Sequence, residues 1–108
     1  MKRGDFITVA MQGDFGKPRP ALVIQSNLFS DRGTVTILPV TSDLKDAPGV
    51  RVTVMPNPDN GLKKPSQVMV DKAGTTLRSK CGPVFGRINP AVLREVDRCL
   101  AVFLGIAK

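Results

Sequence analysis

The sequence predicts a mainly β domain, a small and strongly bent sheet or barrel, with one helix at its C-terminal end. Three observations carry that prediction. Apolar segments are short and frequent, clusters of turn residues separate them (GDFGKP, SDRG, DLKDAPG and MPNPDNGLKKPS), and the apolar period lengthens after Asn89. Alternation every second residue marks a half-buried strand, whereas recurrence every three to four residues marks an amphipathic helix.

Taken in order, residues 6–10 are β-branched and apolar, and residues 21–25 open on a continuous apolar run, as a strand buried on both faces would. Residues 34–40 read TVTILPV. In residues 50–55, Val50, Val52 and Val54 fall on one face and Arg51, Thr53 and Met55 on the other. Residues 67–71, QVMVD, set Val68 and Val70 against Met69 and Asp71, and residues 83–88 supply a last short strand. Asn89 then suits a helix N-cap, Pro90 the first helical position and Gly105 the stop. Ile88 and Leu93 have the spacing of a hydrophobic staple. Val92, Val96, Cys99 and Phe103, joined by Leu93, Leu100 and Leu104, line one stripe, while Arg94, Glu95, Asp97 and Arg98 face outward. The stripe reads as core or as a dimer interface. Its polar face mixes both signs of charge, which argues against a membrane-surface helix.

At 108 residues the chain has the length of one domain, 1–108, able to bury roughly 65% of its unfolded surface. The opening MKRGDFITVA has no apolar core of signal-peptide length, and the cytosol is the expected location. The net charge is +7, spread as +2, +1 and +4 over residues 1–40, 41–70 and 71–108. That is a field over a folded surface, suited either to a polyanion partner or simply to solubility. Two cysteines, Cys81 in a loop and Cys99 on the helix stripe, make neither a disulfide framework nor a metal-ligand spacing. No histidine is present, so acid–base chemistry here must use carboxylates, lysine, arginine or cysteine.

The stretch GKPRPALVIQS places Arg19 between Pro18 and Pro20 at the mouth of a core strand. Each proline fixes its own φ and pushes its predecessor out of the helical region, so Arg19 is restricted from both sides. A guanidinium held that way loses little entropy on meeting a ligand, and its donor fork matches a phosphate. The plain alternative is a strand-entry turn with a solvated arginine. Thr41 and Ser42 put two hydroxyls side by side where the TVTILPV strand ends, and Asp71 ends the QVMVD strand. Taken singly, these are an ordinary turn and an acid paired with Lys72.

In order and spacing, RGD near the N-terminus, RPALVIQS, LPVTS, GLKKPSQVMVDKAGT and the closing helix resemble the MazF/PemK (Kid-like) toxins of bacterial toxin–antitoxin systems, over about residues 2 to 105. The resemblance implies an SH3-like, partly open β-barrel with a C-terminal helix, the MazF/PemK/CcdB-like toxin fold, acting as a homodimer. It implies metal-independent, cofactor-free cleavage of single-stranded RNA, with an acidic antitoxin occupying the RNA site. Arg19 falls on the arginine of the family's RP-x-L-V strand, Thr41 and Ser42 on its hydroxyl pair, and Ser66 and Asp71 on the serine and acid around the next strand. Two departures stand out. PemK-type members carry an arginine where this chain has Met69, and many members have a longer first loop with His or Ser-Glu where this chain has MQGDFGK.

The chemistry implied is attack by the RNA's own 2′-hydroxyl on the adjacent phosphate, leaving a 2′,3′-cyclic phosphate and a 5′-hydroxyl. Arg19 is expected to stabilise the phosphorane, Thr41 and Ser42 to hydrogen-bond it, and Asp71 to accept the proton or position Arg19, with Asp14 in reserve. RNA-binding candidates are Phe15, Lys17, Gln25, Ser66, Lys72, Arg78 and Lys80. Arg51, Lys63 and Lys64 could add charge, and Phe29 and Phe85 stacking. Two other readings stay open: a gyrase-poisoning toxin of the same fold, as CcdB-like proteins are, and an RNA-binding barrel without catalysis. The first is disfavoured by the absence of tryptophan, since those toxins end in Trp-Gly-Ile and this chain ends FLGIAK.

Overall fold

In a computed structural model, which describes residues 1–10 and 17–108, side-chain alternation along the central strands divides the core in two. The elements are β1 (Asp5–Ala10), β2 (Pro18–Val23), β3 (Thr34–Thr41), β4 (Arg51–Val54), β5 (Ser66–Met69), β6 (Gly74–Leu77), β7 (Cys81–Arg87) and α1 (Pro90–Phe103). Short 3-10 turns cover Asn27–Phe29, Val70–Lys72 and Arg78–Lys80. The strands form one antiparallel sheet in the order β4-β5-β3-β2-β1-β7, with β6 added to β3. β4 and β7, at the two ends, are not paired with each other, so the barrel stays open.

Leu22 and Leu38 enter one core with Phe6, Val40, Val52, Val54, Val68 and Val70, and the helix closes it with Val96 and Cys99. Ala21, Val23 and Ile37 enter the second, with Ile7, Val9 and Val35. This accounts for the apolar run in β2, where successive residues are buried on opposite faces. Each large side chain so buried contributes about 1.5–3 kcal/mol.

The helix ends follow from local chemistry. The Asn89 side chain accepts from the Ala91 N–H at 2.8 Å. Gly105, at φ 77°, lets its own N–H reach Val102 O and the Ile106 N–H reach Ala101 O, a Schellman closure. No helix among the described residues is long and apolar enough to cross a membrane.

Several expectations are corrected. Strand 21–25 lies earlier, at Pro18–Val23. GTTL has no apolar alternation, yet it is a strand because β3 offers an edge from Thr34 to Ile37. The last strand begins at Cys81, which therefore lies in β7 and packs on the second core. The QVMVD strand stops at Met69, and Asp71 sits in a 3-10 turn. At the end of the helix stripe, Phe103 and Leu104 are exposed.

The long connection between β4 and β5 is locked against β7 by close backbone approach. Asn60, 1% exposed, accepts from the Asn57 and Leu62 N–H groups and donates to Met55 O. A Cβ on Gly86 would overlap the Asn60 carbonyl, which is why β7 needs glycine there. Asn60→Ala is expected to lower stability by roughly 1–3 kcal/mol, because it strands buried donors and an acceptor. A denaturant midpoint within error of the parent protein would refute this.

Candidate active site

The ladder between β2 and β3 pairs Val23 with Ile37, Leu22 with Leu38 and Ala21 with Pro39, and stops there. Pro18, Pro20 and Pro39 have no N–H, so they cannot carry it further. Continued by two residues, the same register sets Arg19 opposite Thr41. Where the ladder ends, a cleft of about 360 Å³ opens, lined by Arg19, Thr41, Ser42 and Met69 with Pro20 and Pro39. Met69 belongs to the next strand, beyond Thr41, whose ladder partner is Gln67.

Arg19 is exposed and keeps β1 as a partner through its pairing with Val9. Thr41 Oγ1 accepts from the Asp43 N–H at 3.0 Å, which leaves the hydroxyl hydrogen available to donate. Ser42 is exposed. The cleft therefore offers one guanidinium and two hydroxyl donors on an apolar floor, which suits a phosphate ester.

Asp71 does not line this cleft. It is half-buried in the turn after Met69, and its Oδ2 accepts from Lys72 Nζ at 3.2 Å. Lys17 is exposed just before β2. Phe15 and Asp14 lie outside the described residues. Gln25 and Arg78 sit at the opposite end of β3. The Gln25 side chain bonds to the backbone of Phe29, Thr34 and Thr36, and Arg78 Nε donates to Arg32 O. β3 is eight residues long, which puts that end roughly 20 Å or more from Thr41. Lys80 is exposed beside a second, more apolar cavity of about 320 Å³ under β6. Ser66 is buried, and its hydroxyl donates to Lys64 O at 2.9 Å. Lys63 and Lys64 are exposed. Phe85 stacks on Phe6 with ring centroids 6.0 Å apart, while Phe29 is half exposed.

A larger cleft of about 550 Å³ lies at the start of α1, lined by Arg3, Asn57, Asp59, Arg87, Asn89 and Leu93 among others. Its arginines are already neutralised: Arg3 pairs with Asp97 at 2.5 Å and Arg87 with the buried Asp5 at 3.2 Å. Thiol chemistry is also disfavoured. Burial pushes the Cys81 and Cys99 thiols above the ordinary cysteine range, with Arg78 opposing the shift at Cys81.

Sequence reading missed Gln67, and gave Arg51 only as added charge for RNA binding. Gln67 is 7% exposed and bonds to the segment after Ser42, and Arg51 bonds to both. A lone Gln at the head of QVMV gives no periodic signal of this. The predicted alternation did place Met69 opposite Val68 and Val70.

The chain matches a family described as PemK-like, MazF-like toxin of type II toxin–antitoxin system over residues 2–104. It is 43% identical over 108 residues, 99% of each chain, to a probable endoribonuclease MazF of Mycolicibacterium smegmatis. It superimposes on an endoribonuclease in complex with its cognate antitoxin from a mycobacterial species with a TM-score of 0.82 at 21% identity, covering 100% of this chain and 98% of that one. A MazE–MazF structure from Deinococcus radiodurans gives a TM-score of 0.78 at 27% identity, covering 97% and 96%.

Gln25→Ala, which removes the bonds tying residues 29, 34 and 36 together, is expected to lower the denaturant midpoint by the equivalent of about 1–2 kcal/mol with an unchanged m-value. An unmoved midpoint would show those bonds to be dispensable.

Proposed function

This chain belongs to the PemK/MazF family of toxins of type II toxin–antitoxin systems, and from that premise we propose that it is a metal-independent, sequence-selective endoribonuclease acting on single-stranded RNA. The observation that carries the proposal is the shared cleft of Arg19, Thr41 and Ser42 at the end of the β2–β3 ladder. In this reading it works in the cytoplasm as a homodimer restrained by a cognate acidic antitoxin.

A phosphodiester in the cleft gains charge as the adjacent 2′-hydroxyl attacks it. The nucleophile comes from the substrate itself, so no water has to be activated. What the protein must supply is a place for the growing negative charge, and Arg19 provides it. A guanidinium is by its nature a poor proton donor, so charge stabilisation is its role. The Thr41 and Ser42 hydroxyls donate to the non-bridging oxygens. Asp71 does not line the cleft but sits in the turn two residues past its wall residue Met69, and in this reading it accepts the 2′-hydroxyl proton once RNA displaces its contact with Lys72 and draws the carboxylate to the cleft. The surface pair with Lys72 is a weak restraint, because exposed ion pairs are worth about 0–1 kcal/mol. Expulsion of the 5′-oxygen, which takes its proton from solvent water while Asp71 returns the one it accepted to solvent, leaves a 2′,3′-cyclic phosphate and a 5′-hydroxyl. Lys17, beside Arg19 in sequence, would hold the strand, and the +7 net charge would draw RNA in by releasing counterions.

Pure protein incubated with RNA in EDTA should yield fragments with those two ends. Arg19→Ala should lose about 10²–10³ in kcat, the cost of removing one preorganised donor to developing charge. Asp71→Asn should lose about 10²-fold or more if it is the proton acceptor. RNA left intact but shifted in mobility would replace the nuclease with a binding module. Normal turnover by Asp71→Asn would reject only its role as base.

A further inference from the structure

Gln67 is a buried side chain whose amide is fully hydrogen-bonded, in the short strand SQVM, and that demands a reason. It stands in β5 between its ladder partners Thr41 on β3 and Thr53 on β4, and only 7% of it is exposed. An amide buried there without partners would be strongly unfavourable. All four of its hydrogen-bonding positions are filled. Oε1 accepts from the Lys45 N–H and from Arg51 Nη1, both at 3.0 Å. Nε2 donates to Lys45 O at 3.1 Å and to Thr53 Oγ1 at 3.2 Å.

The two bonds to Lys45 take both backbone groups of one loop residue, as a neighbouring strand would. Arg51 extends the clamp, since Nη1 also donates to Asp43 O at 3.0 Å. Asp43 in turn gives its N–H to Thr41 Oγ1. The chain leaving β3 is thus held at residues 41, 43 and 45, and Ser42 lies between the first two. Apolar burial contributes little to holding it. Residues 42–46 are all exposed, and Leu44 keeps 48% of its surface in solvent. The position of the two hydroxyls depends on these polar bonds.

We propose that Gln67 is a positioning residue whose amide, together with Arg51, fixes segment 41–45 so that the Thr41 and Ser42 hydroxyls meet the phosphate held at Arg19. This rests on the nuclease reading and extends it to the next layer of side chains. A neutral amide suits the place because it both donates and accepts; a carboxylate would face Lys45 O with no hydrogen to offer. It also holds Arg51 without cancelling its charge, next to Met69, which is Arg51's ladder partner and part of the cleft wall.

The test is the kinetics of folded variants on a cleavable RNA oligonucleotide. Gln67→Met keeps the length and removes all four bonds, and its kcat should fall at least tenfold with KM changed less than threefold. Gln67→Glu, which keeps the acceptors, should retain a rate between that of Gln67→Met and the parent protein. Val96→Ala, a truncation in the helix-facing core, should lower the thermal midpoint yet keep kcat within twofold when assayed well below it. Should Gln67→Met not fold, the half-buried Arg51→Met carries the test, with kcat at least threefold down and KM within threefold. The inference is overturned if folded Gln67→Met turns over within twofold of the parent, or if the losses fall on KM or on the thermal midpoint alone. Arg19→Ala assayed in parallel separates the two readings. If it is dead while the Gln67 and Arg51 variants are normal, only the positioning role fails. If it stays active, the Arg19 cleft is not the site of cleavage and the positioning role falls with it; if the parent protein leaves RNA intact, the nuclease reading itself fails.

Discussion

The register of β2 against β3 is the constraint from which the rest of the molecule follows. Ala21, Leu22 and Val23 face Pro39, Leu38 and Ile37, with neighbours turned to opposite cores. A slip of one residue would send every one of these side chains to the wrong face, so both cores resist it at once. Two residues further out, the same register brings Arg19 abreast of Thr41. The prolines that make Arg19 stiff also end the ladder, and the space left by the missing strand contacts is the cleft. Rigidity and opening have one cause.

The two sides of that cleft are held by different forces. Arg19 continues a strand whose inner residues are almost wholly buried, so hydrophobic packing anchors it. Thr41 ends β3 and Ser42 begins an exposed loop with little apolar burial, which hydrogen bonds from Gln67 and Arg51 hold. Polar bonds fix position in a way apolar contact does not, because each has a direction as well as a distance. A loop that must present two hydroxyls to one phosphate suits this kind of support.

Ionic contacts elsewhere in the chain act as clasps. In the N-terminal RGD, Arg3 reaches Asp97 on the helix and Ile24 O beyond β2, while Asp5 takes the Lys2 N–H and the Arg87 guanidinium of β7. This short motif ties both ends of the chain to the sheet. With those arginines engaged, the larger cleft at the start of the helix carries no surplus charge.

The sequence by itself determined the strands with strict alternation, the helix with its Asn89 and Gly105 ends, and the stiffness of Arg19. Each of these depends on spacing within a few residues, or on the fixed φ of proline, and so is written locally. It also carried the hydroxyl pair at the end of β3. Only the tertiary structure decided that GTTL is a strand, because an edge of β3 recruits it, and that the QVMVD strand breaks before Asp71. Only the tertiary structure removed Gln25 and Arg78 to the far end of β3, turned the Ser66 hydroxyl onto its own backbone, and set Gln67 under the Thr41–Ser42 loop. Apart from the Ser66 bond to Lys64 O two residues away, those facts join residues some 9 to 46 positions apart, and a long-range hydrogen bond leaves no period in the chain that makes it.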